Sequence, residues 1–314
     1  SLKDPYTVFM PPEDAKIFKE DVSGAFQGVG MEIGIRDNTL TIIAPLEGTP
    51  AQRAGLRAGD KIVKINDSSS AGMTSDEAVK LIRGPQGTEV ILTIFREGWQ
   101  QSREFKIIRE VIKVPALKWE QKEGDIAYLK LYQFSETARA AFGKAAVAIL
   151  NSPNKKIILD LRNNPGGYLE VAQDIAGWFL AKGQIVTIED FGGKAENKEY
   201  RTNGSSQLLS YPLVVLINKG SASASEILAG ALRDNRGVLL IGEQSFGKGS
   251  VQTLEELSQG SLKITVAKWL TPSGQTIEGE GLSPDIKIEL TEEDYSKGRD
   301  PQLDKALEII REIR

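Results

Sequence analysis

Pro212-Leu213-Val214-Val215-Leu216-Ile217-Asn218-Lys219-Gly220-Ser221-Ala222-Ser223-Ala224-Ser225-Glu226 reads as a strand, a tight turn of small residues and the start of a helix. The apolar run at 213–217 predicts the strand, and residues 225–232 predict the helix. Such a turn exposes its serine. Small neighbours let a peptide backbone approach Ser223, and the Ala224 amide at a helix N-terminus can donate to a developing oxyanion. On this run alone a helix cap is the plainer reading, because Ser223-Ala224-Ser225-Glu226 also spells S-x-x-E. The G-x-S-x-G elbow of α/β-hydrolases is absent.

Outward from this stretch, strands and helices alternate. Residues 125–132 predict a strand, 136–150 a helix, 155–161 a buried strand and 168–181 a helix. Strands at 238–241 and 262–270 and an amphipathic helix at 301–313 complete the pattern. This alternation predicts an α/β layered domain over residues 114–290, followed by a C-terminal helical segment over 291–314. Upstream the texture is shorter, with strands at 28–35, 40–44, 61–65 and 89–96. A helical turn at 49–55 ends in glycine, and a helix at 75–83 ends at Gly84-Pro85. These elements make a small module over 26–113. Residues 1–25 are a lead-in, in which Pro11-Pro12-Glu13-Asp14 predicts a helix start before 15–20.

Composition narrows the chemistry. Among 314 residues there is no histidine and no cysteine. Ser-His-Asp, Cys-His and imidazole-ligated metal chemistry are therefore excluded, and an activated serine needs a lysine or a carboxylate as its base. Lysine is the better candidate. The chain is 40% apolar and 26% charged with net charge -4, ordinary for a two-domain globular protein and without the basic patches of a nucleic-acid surface. No apolar run approaches the roughly 18 residues of a membrane span. The chain opens Ser1-Leu2-Lys3 without methionine, which leaves room for a trimmed leader or anchor.

Two further loops follow predicted strands. Gly242-Glu243-Gln244-Ser245-Phe246-Gly247-Lys248 satisfies G-x-x-x-x-G-K, but Gly249 stands where a phosphate loop needs Ser or Thr. The following residues are also too short and polar for its long helix. If the chain is extended beyond Gly249, the period of two puts Lys248, Ser250 and Gln252 on one face. The Gln252 amide oxygen can then hold the lysine amine, and burial beside Phe246 lowers its pKa toward the neutral form a general base requires. Asp160-Leu161-Arg162-Asn163-Asn164-Pro165-Gly166-Gly167 is a turn by composition, yet Gly166 and Gly167 can present bare amides at a sheet edge.

Together these residues resemble the carboxyl-terminal processing proteases, tail-specific serine peptidases with a Ser-Lys dyad, and the resemblance covers nearly the whole chain. In that family the nucleophile is the middle serine of S-A-S-A-S-E-I, here Ser223, and the base is the lysine of F-G-K-G, here Lys248, 25 residues on. The resemblance implies support from Gln252 and an oxyanion hole from Ala224 with Gly166 or, preferentially, Gly167. Asp234 matches an acidic position with a structural or supporting role.

The first module resembles a PDZ domain through Thr49-Pro50-Ala51, Ala54-Gly55-Leu56, Gly59-Asp60-Lys61-Ile62 and Ile65-Asn66. Such a domain adds an extended C-terminal peptide to a sheet edge. Here Gln27, Gly28, Val29 and Gly30 would receive the carboxylate, leading into a strand with Met31 and Ile33, with the helix at 75–83 opposite. A dinucleotide G-x-G-x-x-G fails, because Ile33 occupies the third glycine position.

The resemblance therefore implies an α/β multidomain protein, a PDZ-like β-rich module followed by an α/β layered, crotonase-like serine protease core. It implies an ATP-independent endopeptidase acting on protein or peptide C-termini in the bacterial cell envelope. No cofactor, metal or nucleic acid is expected. Membrane anchoring would need a segment outside this chain, and homo-oligomers stay open. The alternatives are a gated or inactive peptide-binding scaffold and, less favoured, a P-loop nucleotide-binding protein.

Overall fold

Apolar residues at periods of two and of about 3.6 are sorted into strands and helices throughout the computed structural model. It describes residues 7–12, 14–15, 24–36, 38–46, 48–57, 59–113 and 115–313. The helix expected at 15–20 falls largely outside the described residues. Two compact units result: the described residues of 25–113 form one, and residues 115–313 with the described residues before Ala25 form the other. The chain enters the second unit first, through strand β1 (Val8–Met10).

The smaller unit holds β2 (Ala25–Gly28), β3 (Met31–Arg36), β4 (Thr39–Pro45), α1 (Pro50–Arg53), β5 (Lys61–Ile65) and β6 (Ser68–Ser69). It continues with α2 (Ser75–Ile82), β7 (Glu89–Phe95), β8 (Arg103–Ile108) and β9 (Glu110–Lys113). The sheet runs β3-β4-β5-β7-β8, with β6 on β5, while β2 pairs with β9. Alternation along β7 turns Val90, Leu92 and Ile94 into a core with Ile42, Ile62 and Ala78. Helix α2 starts at a capping box: the Glu77 carboxylate accepts the Thr74 amide at 2.8 Å and the Thr74 hydroxyl accepts the Glu77 amide. Asp60 is fully buried, and Arg96 satisfies its charge through two bonds of 2.6 and 2.8 Å. Strand β8 was not legible beforehand, because an edge strand of charged and exposed residues carries a weak alternation.

The larger unit begins with β10 (Leu117–Lys122), β11 (Ile126–Leu131), α3 (Glu136–Leu150), β12 (Lys156–Asp160), α4 (Leu169–Phe179), β13 (Ile185–Asp190) and β14 (Lys198–Arg201). After these come β15 (Leu213–Ile217), α5 (Ala224–Arg236), β16 (Leu239–Gly242), β17 (Ser250–Leu257), β18 (Gly260–Leu270) and β19 (Ile286–Lys287). Helices α6 (Glu292–Lys297) and α7 (Pro301–Glu312) end the chain. The main sheet runs β10-β11-β12-β15-β16-β19, parallel from β11 onward with β10 antiparallel at the edge.

Both faces of this sheet are covered, which is why its strands are apolar without alternation. Leu213, Val215 and Ile217 face the core shared with α3, α4 and α5. Val214 and Leu216 face the opposite side, where Ala306 and Ile310 of α7 close the layer. Helix α7 thus packs into this unit, and Arg162 fastens it, donating to Asp300 at 2.8 Å and to Asp160 at 2.7 Å. A second, antiparallel sheet runs β1-β18-β13-β14, with β17 paired to β18.

Candidate active site

In the register of the main sheet, Asp160 lies opposite Leu216 and Ile217 opposite Gly242. The loops that follow β12, β15 and β16 therefore leave from one edge, the place where the fold leaves backbone groups free to meet a ligand. Those loops carry Gly166 and Gly167, Ser223, and Lys248 respectively.

The serine turn is fixed by side chains from the β12 loop. Asn164 is fully buried; its side-chain amide donates to Leu131 O at 2.8 Å and its side-chain oxygen accepts the Gly166 amide at 3.0 Å. Its carbonyl accepts from the Ala222 amide at 3.0 Å and the Ser225 hydroxyl at 2.9 Å. The Ser221 hydroxyl donates to Leu161 O at 2.8 Å. Held from both sides, Ser223 adopts φ 55° and ψ -115°, a conformation a non-glycine residue enters only at a cost of about 1–3 kcal/mol. An ordinary N-cap sits in the extended region, so capping does not account for this backbone. Between Ser221 and Leu232, Ser223 alone is incompletely buried.

The glycines are required by proximity. A Cβ on Gly166 would stand 2.8 Å from Ser223 Cβ and 2.7 Å from Ala222 O, so a side chain there would displace the serine turn. The Gly166 amide is spent on Asn164. No bond from the Gly167 amide is formed among the described residues, and the Ala224 amide, first in α5, has no acceptor within its helix.

Lys248 lies in the loop before β17 rather than on the strand, which starts at Ser250. Ser250 and Gln252 both lie on β17, with a register shift between Val251 and Gln252, whereas Lys248 precedes the strand. Gly249 is the physical reason: a Cβ there would meet Glu278 N at 2.2 Å, so segment 277–278 presses on the loop before pairing begins. Gln252 lies half-buried opposite Thr265, just beyond a bulge. Burial lowers the Lys248 pKa, Lys263 lowers it further, and Glu226 opposes both. Phe246, expected to supply that burial, is itself 56% exposed. Because β17 is a strand, the loop lacks the helix that phosphate cradling uses.

Glu226 joins the two loops. Its carboxylate accepts the amides of Ser223 at 2.8 Å, Gly247 at 2.7 Å and Lys248 at 3.0 Å, and the Ser245 hydroxyl at 2.6 Å. One oxygen, Oε2, thus receives the backbone of both Ser223 and Lys248. Sequence reasoning placed Glu226 in a capping box, and only its Ser223 contact belongs to one. Asn164 was likewise read as a turn former. The available signal was their position three residues after the serine and two before the paired glycines.

Asp234 accepts the Ser273 amide at 2.9 Å, fastening α5 to the turn after β18. In the smaller unit, a cavity of about 60 Å³ between β3 and α2 is lined by Phe26, Val29, Gly30, Met31, Ile33, Val79, Ile82 and Arg83. Four of the six residues expected to meet a peptide line it. Gln27 does not: its side-chain oxygen accepts the Gln86 amide at 2.7 Å, and Gly28 ends β2 in the ladder with β9. The carbonyls of Val29 and Gly30 are committed to Ala51 and Leu46, which fixes the turn.

Residues 125–288 match the model of peptidase family S41, and residues 41–96 match that of the PDZ domain. A carboxy-terminal-processing protease of Bartonella bacilliformis is 43% identical over 96% of this chain and 70% of its own length. The carboxy-terminal processing protease CtpA of Bacillus subtilis is 40% identical over 95% of this chain and 63% of its own length. The solved photosystem II D1 C-terminal processing protease superposes with a TM-score of 0.61 at 30% identity, covering 92% of this chain and 79% of that one. The chain belongs to peptidase family S41, a serine peptidase family, and carries a PDZ domain ahead of the peptidase domain. No helix among the described residues is long and apolar enough to cross a membrane.

Proposed function

We propose that this chain is an ATP-independent endopeptidase that takes protein or peptide substrates by their C-termini and cleaves them with Ser223 and Lys248. The observation that carries the reading is the shared oxygen: Glu226 Oε2 binds the backbone of both residues, so the nucleophile and the base are rooted at one point. The lowered pKa of Lys248 suits a neutral amine that accepts a proton.

In the reaction, the Lys248 amine removes the Ser223 hydroxyl proton as Oγ attacks the scissile carbonyl. The amides of Ala224 and Gly167 donate to the oxyanion. The lysine ammonium then protonates the departing amine, leaving an acyl-enzyme. Lys248 next deprotonates a water that attacks the acyl carbonyl; as the bond to Oγ breaks, the lysine ammonium returns the proton to Ser223 Oγ and the acid leaves. Gln252 orients the lysine amine. In the PDZ domain the substrate C-terminus adds to the edge strand β3, its terminal side chain entering the cavity against α2 and its carboxylate meeting the turn at Val29–Gly30. The relatives are bacterial, and the family resemblance supports work in the extracytoplasmic space of the cell envelope.

A fluorophosphonate probe tests the nucleophile. Stoichiometric labelling that maps to the peptide containing Ser223, and rises with pH, is expected. Labelling elsewhere, or none across the pH range, would overturn the assignment.

A further inference from the structure

Glu226 is fully buried and its carboxylate takes four donors, of which a helix cap needs one. The other three belong to the loop that carries the lysine: the Ser245 hydroxyl and the amides of Gly247 and Lys248. Ser245 Oγ accepts the Leu282 amide at 2.7 Å, which leaves its own proton for Glu226. Amides only donate, so this arrangement suits the carboxylate rather than the protonated acid. A second tie between the loops runs from the Phe246 amide to Ser221 O at 2.9 Å, backbone to backbone and without charge.

The placement at stake is fine. The Ser223 backbone sets the direction of its hydroxyl, and the Lys248 backbone roots a long side chain with many rotamers. A displacement of about 1 Å in such a pair is enough to cost on the order of 100-fold in rate. We infer that Glu226 is a positioning residue whose carboxylate holds the serine turn and the lysine loop in the one relative placement where the dyad can form. This rests on the Ser223–Lys248 reading above.

Glu226 also acts through charge. Burial and Lys263 push the Lys248 pKa down while Glu226 pulls it up. Burial raises the carboxyl pKa of Glu226 itself, and its four donors oppose that rise. Removing the carboxylate therefore moves two readouts, the rate and the pH at which the rate rises.

The test is steady-state kinetics across pH on a fluorogenic peptide, with Glu226→Gln, Glu226→Asp and the controls Ser223→Ala and Lys248→Ala. Glu226→Gln is expected to lower kcat about 100-fold with KM held within about twofold. It also shifts the ascending limb toward acid, because Lys248 loses a neighbouring negative charge. Glu226→Asp keeps the charge but is one methylene short, so kcat falls while the limb stays. A role confined to folding would reduce active enzyme and leave the limb in place. With both controls inactive, a Glu226→Gln kcat within about threefold of wild type, or an unmoved limb, overturns the inference. Wild-type turnover by either control overturns the dyad reading instead. Should Glu226→Gln fail to fold by thermal melt, Ser245→Ala decides: an about tenfold loss of kcat supports the inference, and an unchanged kcat overturns it.

Discussion

The sheet edge that carries Ser223 and Lys248 in the peptidase domain and the cavity between β3 and α2 in the PDZ domain are built on opposite principles. At the first, two buried polar side chains gather their partners from several loops: Asn164 and Glu226, both fully buried, hold three loops through eight hydrogen bonds between them, counting the two to the Asn164 carbonyl. At the second, an edge strand and a helix leave a small apolar cavity lined by Val29, Met31, Ile33, Val79 and Ile82. Chemistry needs atoms fixed to fractions of an ångström, which directional bonds in a dry interior provide. Capture of varied peptide ends needs a free ladder edge and an apolar recess, where a small misfit costs little. Substitutions at the first region are therefore expected to act on kcat and those at the second on KM.

The largest effect expected is from Ser223→Ala, with a loss of kcat of about 10³-fold or more and unchanged peptide affinity by fluorescence anisotropy. Lys248→Met should follow closely. The proposed base role requires the neutral Lys248 amine, so in the wild type kcat is expected to rise with pH, and because burial lowers the lysine pKa the limb is expected below the ordinary lysine range. A flat profile would remove the general-base role. Asn164→Ala leaves the Gly166 amide and the Leu131 carbonyl unpaired, which is expected to cost about 2–4 kcal/mol in chemical denaturation and to lower kcat.

In the PDZ domain, Val79→Asp places a charge in the apolar recess and should raise KM for a C-terminally tailed substrate about tenfold, with kcat held. A fall in kcat instead would break the contrast between the two regions. The smallest effect is electrostatic: Lys263→Met removes a positive charge that lowers the Lys248 pKa, so the ascending limb should move toward alkali. A shift toward acid would contradict the sign.

Much of this was legible in the chain. The strand over 213–217 and the helix over 136–150 match the observed elements residue for residue, because an uninterrupted apolar run and a long amphipathic stretch have few competing solutions. Strands β8, β13 and β14 were not anticipated, since edge and partly exposed strands such as β8 and β14 owe their state to a neighbour. Glu226 and Asn164 were visible as residue types and misread as local devices, a cap and a turn. Beyond one local contact each, their partners lie 19–22 residues and 33–61 residues away respectively, outside any local pattern.

What the sequence by itself determined was elimination and spacing. Without histidine or cysteine, an activated serine had to use another base, and the two loops carrying Ser223 and Lys248 each followed an apolar strand. Only the tertiary structure decided that those strands are neighbours in one parallel register, so that their loops meet. It alone turned a capping glutamate into the tie between serine and lysine. Periodicity and composition are properties of adjacent residues, whereas a buried carboxylate finds its donors wherever folding brings them, and here folding brings them from both loops at once.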